Sequence, residues 1–261
     1  MSTEFVEFIK ILGKGRHGSR SLTEQEAEKA MDLILQDKVK PEQMGAFWML
    51  IRIREETIEE AAGFTRSIRN KLASQVTVKV DLDWPAYAGK RNELPWFVLT
   101  AIALSQSGIK IFMHGHSFPE ESRIYVDQAL QYLGVQPAQS LEQAQTQIDS
   151  CNFSYLPLQK ISHQLTDLME LKRLLGLRSP VNTLVRLMNP LAAVNSVHGV
   201  FHKGYDEIHI EAAKALGDKS VLVFRGGNGE AEVNPERDVS LAFLKDQQVS
   251  WSQWPKSSQQ H

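Results

Sequence analysis

LPWFVLTAIALSQSGIKIFMHGHS, residues 94–117, is the stretch on which the fold turns. Its first part is apolar on every side, opens at Pro95 and stops at Gly108, the punctuation of a buried helix. IKIFM (109–113) is then a short apolar run closed by HGHS, which reads as a buried strand. Working upstream, VTVKV (76–80) alternates and reads as a strand, while DLDWPAYAGKRNE (81–93), with its Pro and Gly breakers, reads as a loop. Downstream, RIYVDQALQYLGV and SLEQAQTQI read as helices, FSYLPL (153–158) as a strand and HQLTDLMELKRLLGL (163–177) as a helix. EIHIEAAKALG is a further helix, SVLVF (220–224) a further strand, and QWPKSSQQH a frayed polar tail. Alternating strands and helices predict a mostly parallel sheet covered by helices.

The first 75 residues differ in kind. Phe5, Phe8, Ile9 and Leu12 fall at helical spacing, and Gly13 ends that element. Thr23 with Glu26, and Thr57 with Glu60, are capping-box pairs that open two further helices. Between them Pro41 opens another, through GAFWMLIRIR. The fold class expected is therefore α/β: a helical N-terminal domain (1–75) and a larger α/β domain (76–261).

Composition narrows the function classes. Of 261 residues 42% are apolar and 23% charged, the balance of a globule rather than a disordered chain. Lys plus Arg number 29 against 31 Asp plus Glu, so binding to a polyanion must come from a local patch. One cysteine, Cys151, excludes an internal disulfide and any CxxC metal site. No apolar run approaches the roughly 20 residues of a membrane span, and the N-terminus lacks a signal-peptide core, so no membrane partner and a cytoplasmic location are expected.

Ligands of open α/β sheets lie beyond the carboxyl ends of the strands. Three loops qualify, at 81–93, 114–117 and 225–232, and they should converge on one crevice. They carry Lys90, Arg91, His114, Gly115, His116, Arg225, Gly226, Gly227 and Gly229, a basic, glycine-rich set suited to phosphate or, failing that, ordinary solvated turns. Metal chemistry has little to work with. HGH puts its two histidines on opposite sides, and Glu230 and Glu232, two apart on a loop, could hold magnesium through one or both or form an ordinary solvated turn, so no cofactor is expected. No GxSxG elbow and no P-loop occur. Basic groups with nearby rings are what single-stranded nucleic acid uses. Lys14, Arg16 and Arg20 of the loop 13–20, with Tyr87, are candidates for it, whereas Trp96, in an apolar helix, reads as core.

MHGHS (113–117), LLGLRSPVNTLVRLMNPL (174–191) and VFRGGNGEAEV (223–233) resemble the anthranilate phosphoribosyltransferase-like fold of glycosyltransferase family 3. The resemblance implies the same two domains, a homodimer through the N-terminal helices, and 163–190 packing back on the helical domain. It also implies that the chain ends early, because members usually continue with another strand and helix. Departures from the family pattern are concentrated at one substrate. The glycine-rich loop that holds the diphosphate reads DWPAYAGKRNELPW here, the phosphate-binding Lys is Met113, and the magnesium pair is Ala231–Glu232. Arg178 stands where the family contacts anthranilate. The resemblance thus implies the branch that keeps the fold, lacks the transferase signature and is associated with nucleic acid. The expected function is a non-catalytic homologue holding nucleic acid, or a nucleotide-like phosphate ligand, in the crevice. Lys90, Arg91, Arg178, Lys203 and Arg225 would ring that crevice. The alternative is a transferase acting on another ribosyl phosphate.

Overall fold

The computed structural model describes residues 3–15, 17–73, 79–119 and 122–257. The chain divides into two compact units, Met1–Ser74 with Gln164–Met188, and Gln75–His163 with Asn189–His261.

In the helical unit α1 (Thr3–Gly13), α2 (Glu24–Leu35), α3 (Pro41–Arg54) and α4 (Ile58–Leu72) are joined by later helices. Both expected capping boxes form, Thr23 with Glu26 on α2 and Thr57 with Glu60 on α4. Phe5, Phe47, Trp48 and Phe64 are buried together, the Phe47 ring 5.0 Å from Phe5 and 5.9 Å from Phe64. Most of the large apolar side chains in GAFWMLIRIR therefore serve their own unit, with Phe47, Trp48 and Ile51 buried. Ile53 is the exception at 76% exposed.

The second unit holds β1 (Leu82–Ala86), β2 (Lys90–Arg91), α5 (Trp96–Gln106), β3 (Ile111–Gly115), β4 (Arg123–Ile124), α6 (Val126–Tyr132), α7 (Leu141–Cys151), β5 (Phe153–Pro157) and α8 (Leu158–Ile161). Helices α9 (His163–Leu175) and α10 (Val181–Leu187) belong, from Gln164, to the helical unit. The second unit resumes with β6 (Asn195–Val200), α11 (Tyr205–Ala215), β7 (Ser220–Arg225), β8 (Val239–Lys245) and β9 (Gln248–Trp254). Seven strands form one sheet in the order β5-β3-β1-β6-β7-β8-β9, and β2 pairs with β4 in a separate ribbon. The pairs from β5 through β7 are parallel, and β8 and β9 add as antiparallel neighbours.

Four local expectations need correction. The first strand is LDWPA (82–86), inside the stretch read as a loop, whereas 76–78 of VTVKV lie outside the described residues. Asp83 through Ala86 are all buried, and a strand buried on both faces shows no alternation to detect. Pro85 is tolerated because pairing with β6 involves only Leu82 and Asp83 and ends before it. Strand β3 runs two residues further than expected and takes His114 and Gly115 into the sheet. Strands β6, β8 and β9 lack clear sequence signals, and Gln253 and Trp254 belong to β9 rather than to a frayed tail. None of the described helices is long and apolar enough to cross a membrane.

Candidate functional site

The loops after β1, β6 and β7 meet at Gly229, which lies against both Ala88 and Phe201. The turn Gly227–Gly229 leads directly to Glu230. The backbone there passes so close to its neighbours that a Cβ on Gly199 or Gly226 would overlap the Glu230 peptide. These two glycines are thus explained by close chain approach.

Glu230 points inward and is buried. Its Oε1 accepts from two consecutive backbone amides, Ala88 N–H and Gly89 N–H, each at 2.6 Å. The opposite side of that loop is held by Arg123, whose Nη1 donates to Ala88 O at 2.7 Å and Gly89 O at 2.9 Å. Gly89 has φ +66°, and the Tyr125 ring packs where its side chain would be. Successive amides aimed at one oxygen through a left-handed residue form an anion-binding concavity. Here the anion is a carboxylate of the same chain.

Lys90 is buried as well. Its Nζ is 2.6 Å from Glu232 Oε1 and 2.8 Å from Glu93 Oε2, and it packs over Gly227. Burial pulls the Lys90 ammonium down, but the bonds to Glu232 and Glu93 outweigh it and hold its pKa above the ordinary lysine value. Glu232 Oε2 accepts from Phe97 N–H at 3.0 Å, in the first turn of α5. Lys90 therefore does not ring the crevice as a solvated cation. Glu232 does not suit magnesium either, because an ammonium and a helix amide already occupy its two oxygens. No group of three or more candidate metal ligands occurs among the described residues.

The other predicted residues separate into three sets. His114 is a core residue rather than an anion donor, bridging Asp83 Oδ1 (Nε2, 3.1 Å) and the Tyr87 hydroxyl (Nδ1, 2.6 Å). Tyr87 is equally buried and cannot stack on a base. Gly115 lies against Ala86 O in the sheet, and His116 is half-buried with its ring edge on Phe118, 4.6 Å between centroids. The Gly227 amide donates to Glu232 O at 2.7 Å, so it too is already used.

The second set lies in the helical unit. Arg178 is half-buried between α9 and α10; burial, with the Arg178 charge adding to it, lowers the Lys172 pKa. Lys14 and Arg20 line a cavity of about 820 Å³ with Glu7, Lys10 and His17, while Arg16 lies outside the described residues. Arg20 is bound through both terminal nitrogens to Glu26, at 2.6 and 2.7 Å. The Arg20 hydrogen bond holds the Glu26 carboxyl down at about 2.

The third set is exposed on the α/β unit. Arg225, Lys203 and Arg91 all face solvent. Arg225 closes β7 directly opposite Val200, the last residue of β6. The next residue, Phe201, is 62% exposed and stands edge-on to His202, 5.0 Å between centroids. Tyr205 continues this row of rings, 6.0 Å from His202. Trp96, expected in the core, is 57% exposed at the start of α5. Phe201 was missed because no strand was recognised ahead of it; a ring before a basic residue and the Gly204 turn was the available signal.

Comparison with known proteins agrees with this architecture. Residues 6–72 match the helical bundle domain of the glycosyl transferase family, and residues 98–254 match its a/b domain. The anthranilate phosphoribosyltransferase of Geobacillus kaustophilus is 26% identical over 239 residues, covering 91% of this chain and 70% of that relative. The solved anthranilate phosphoribosyltransferase (TrpD) of Thermus thermophilus superposes with a TM-score of 0.77 at 22% identity, over 94% of this chain and 72% of the other. The Saccharomyces cerevisiae enzyme, solved in complex with PRPP and Mg, superposes at 0.74 with 16% identity, over 97% and 73%. With both of its domains matched and its fold superposed on solved members, the chain belongs to this glycosyl transferase family and has the anthranilate phosphoribosyltransferase fold.

Proposed function

We propose that this chain keeps the phosphoribosyltransferase fold without the transfer reaction, and binds single-stranded nucleic acid along the carboxyl edge of its α/β sheet. The observation that carries this reading is a division of labour among charged groups. Those inside the crevice are bonded to one another, Lys90 to Glu232 and Glu230 to the Ala88 and Gly89 amides. Those outside it, Arg225, Lys203 and Arg91, face solvent, the first two close to the exposed Phe201 in sheet register and in sequence. A diphosphate leaving group needs fixed donors and a divalent cation to stabilise its developing charge. In this crevice a carboxylate takes the amides and an ammonium faces the remaining acidic residue. Exposed cations with rings at Phe201 and Trp96 instead suit phosphates and unstacked bases, with base stacking contributing roughly 1–3 kcal/mol per ring.

The test has two arms. Incubation with phosphoribosyl diphosphate, anthranilate and magnesium is expected to yield no transfer product above background. Fluorescence anisotropy with a labelled single-stranded oligonucleotide is expected to show binding. Phe201→Ala should weaken that binding by roughly 5- to 150-fold, the equivalent of one stacked base. Robust transfer, or binding indifferent to Phe201, would reject the proposal. The exposed Ile53 and Leu174 of the helical unit support a homodimer through that unit.

A further inference from the structure

We infer that the free edge of β9 pairs with the β9 of a second copy of this chain, antiparallel about a two-fold axis at Trp251, joining two sheets into one. β9 is the last strand of the seven-stranded sheet and pairs one-to-one with β8 along its whole length, without a bulge. All of its residues except Val249 are exposed. The described chain beyond it bonds instead to the segment leading into β8, Lys256 N–H to Asp238 Oδ1 and Ser257 N–H to Pro235 O, both at 2.9 Å. Sheet edges are kept from pairing by charges, prolines, bulges or brevity. β5, at the other edge, is short, buried through Leu156 and closed by Pro157. QVSWSQW has no charge and no proline in its seven residues.

The turn before β9 decides which main-chain groups face outward. Asp246 and Gln247, at φ 47° and 65°, make a two-residue hairpin turn of the class with positive φ at both positions. Such a turn makes its flanking pair, Lys245 and Gln248, hydrogen-bonded. Alternation then aims the N–H and C=O groups of Val249, Trp251 and Gln253 away from β8. The register centred on Trp251 selects a second copy as the occupant. It sets Trp251 against the second copy's Trp251, Val249 against Gln253 and Ser250 against Ser252, so ring meets ring and no like charges meet. The pairing consumes the free edge and closes at two chains. A strand pair alone is a small interface, so the association belongs to high concentration. It is separate from the homodimer proposed through the helical unit.

The experiment is sedimentation equilibrium at low ionic strength, from micromolar to millimolar chain. The wild-type mass should rise with concentration above its low-micromolar value, and Ile53→Glu, in the helical unit, should keep that rise. Trp251→Lys and Trp251→Glu each place like charges face to face at the axis and should each weaken the association roughly 10-fold. An equimolar mixture of the two variants should recover it, because opposite charges then meet. Hydrogen exchange on wild type needs no substitution. The amides of Val249, Trp251 and Gln253 should slow as concentration rises, while those of Ser250 and Ser252, already bonded to β8, keep their rates. A wild-type mass that does not rise, single variants that associate like wild type, a mixture that does not recover, or exchange that slows evenly along β9 overturns the inference.

Discussion

Replacing Lys90 with Met removes an ammonium while nearly preserving side-chain volume. Two carboxylates lose their counterion, Glu232 with 18% of its side chain exposed and Glu93 with 57%. Breaking a fully buried pair by deleting one partner costs about 3–5 kcal/mol. Glu93 can turn to water, and Glu232 keeps the Phe97 amide, so the loss falls to the bottom of that range or just below it, about 2–3 kcal/mol. For a chain of this size that corresponds to a fall of roughly 4–12 °C in the unfolding midpoint. Lys90→Met/Glu232→Leu removes both charges and should be less destabilised than the sum of the single changes, by about 1 kcal/mol or more. The assay is thermal unfolding with tryptophan fluorescence. Trp84, Trp96, Trp251 and Trp254 lie in the α/β unit and only Trp48 in the helical one, so the signal is dominated by the unit that holds Lys90. A fall below about 1 °C for Lys90→Met would show that the ammonium is solvated, and the internally paired crevice would be refuted.

Tyr87→Phe deletes the hydroxyl 2.6 Å from His114. It should cost about 1–3 kcal/mol in urea unfolding, as a buried nitrogen loses its partner, and leave oligonucleotide affinity unchanged. Glu26 has its folded pKa lowered to about 2, so its contribution is complete above the unfolded carboxylate pKa and is lost as pH falls from about 4.5 toward 2. Glu26→Gln should therefore cost about 1 kcal/mol at pH 7, a gap that urea titration should find closed near pH 2. Light scattering at micromolar concentration should give twice the chain mass, and Ile53→Glu should shift it toward the monomer.

The two capping boxes, a helix opening after Pro95 and strand β7 were legible because their signals are local, although that helix buries one face rather than all of them. Strand β1 was hidden by Pro85, tolerated because the β6 ladder ends before it, and by Asp83, whose buried carboxylate is met by His114. The residue types at the site were legible, but not their pairing. Lys90 meets Glu232 and Ala88 meets Glu230 across 142 residues of sequence. No spacing rule spans such a distance, so Lys90 reads as a surface cation from its neighbours alone. The glycines of RGGNG suggest an amide nest for a ligand. In the fold, Gly226 instead makes room for the peptide of Glu230, and the nest lies in the β1 loop. Trp96 was misplaced because α5 is apolar on all faces but buries only the face carrying Phe97, Val98, Ala101 and Ser105, leaving Trp96 and Leu99 on the outer one.

The most direct measurement is the salt dependence of single-stranded oligonucleotide binding for wild type, Lys203→Ala/Arg225→Ala and Lys90→Met. Each phosphate neutralised by an exposed cation adds roughly 0.7 to the slope of log affinity against log salt. The double variant should therefore lose about 1.4 from that slope, while Lys90→Met, whose charge is already matched by Glu232 and Glu93, should keep the wild-type value. A slope reduced in Lys90→Met and unchanged in Lys203→Ala/Arg225→Ala would place the polyanion inside the crevice and contradict the account.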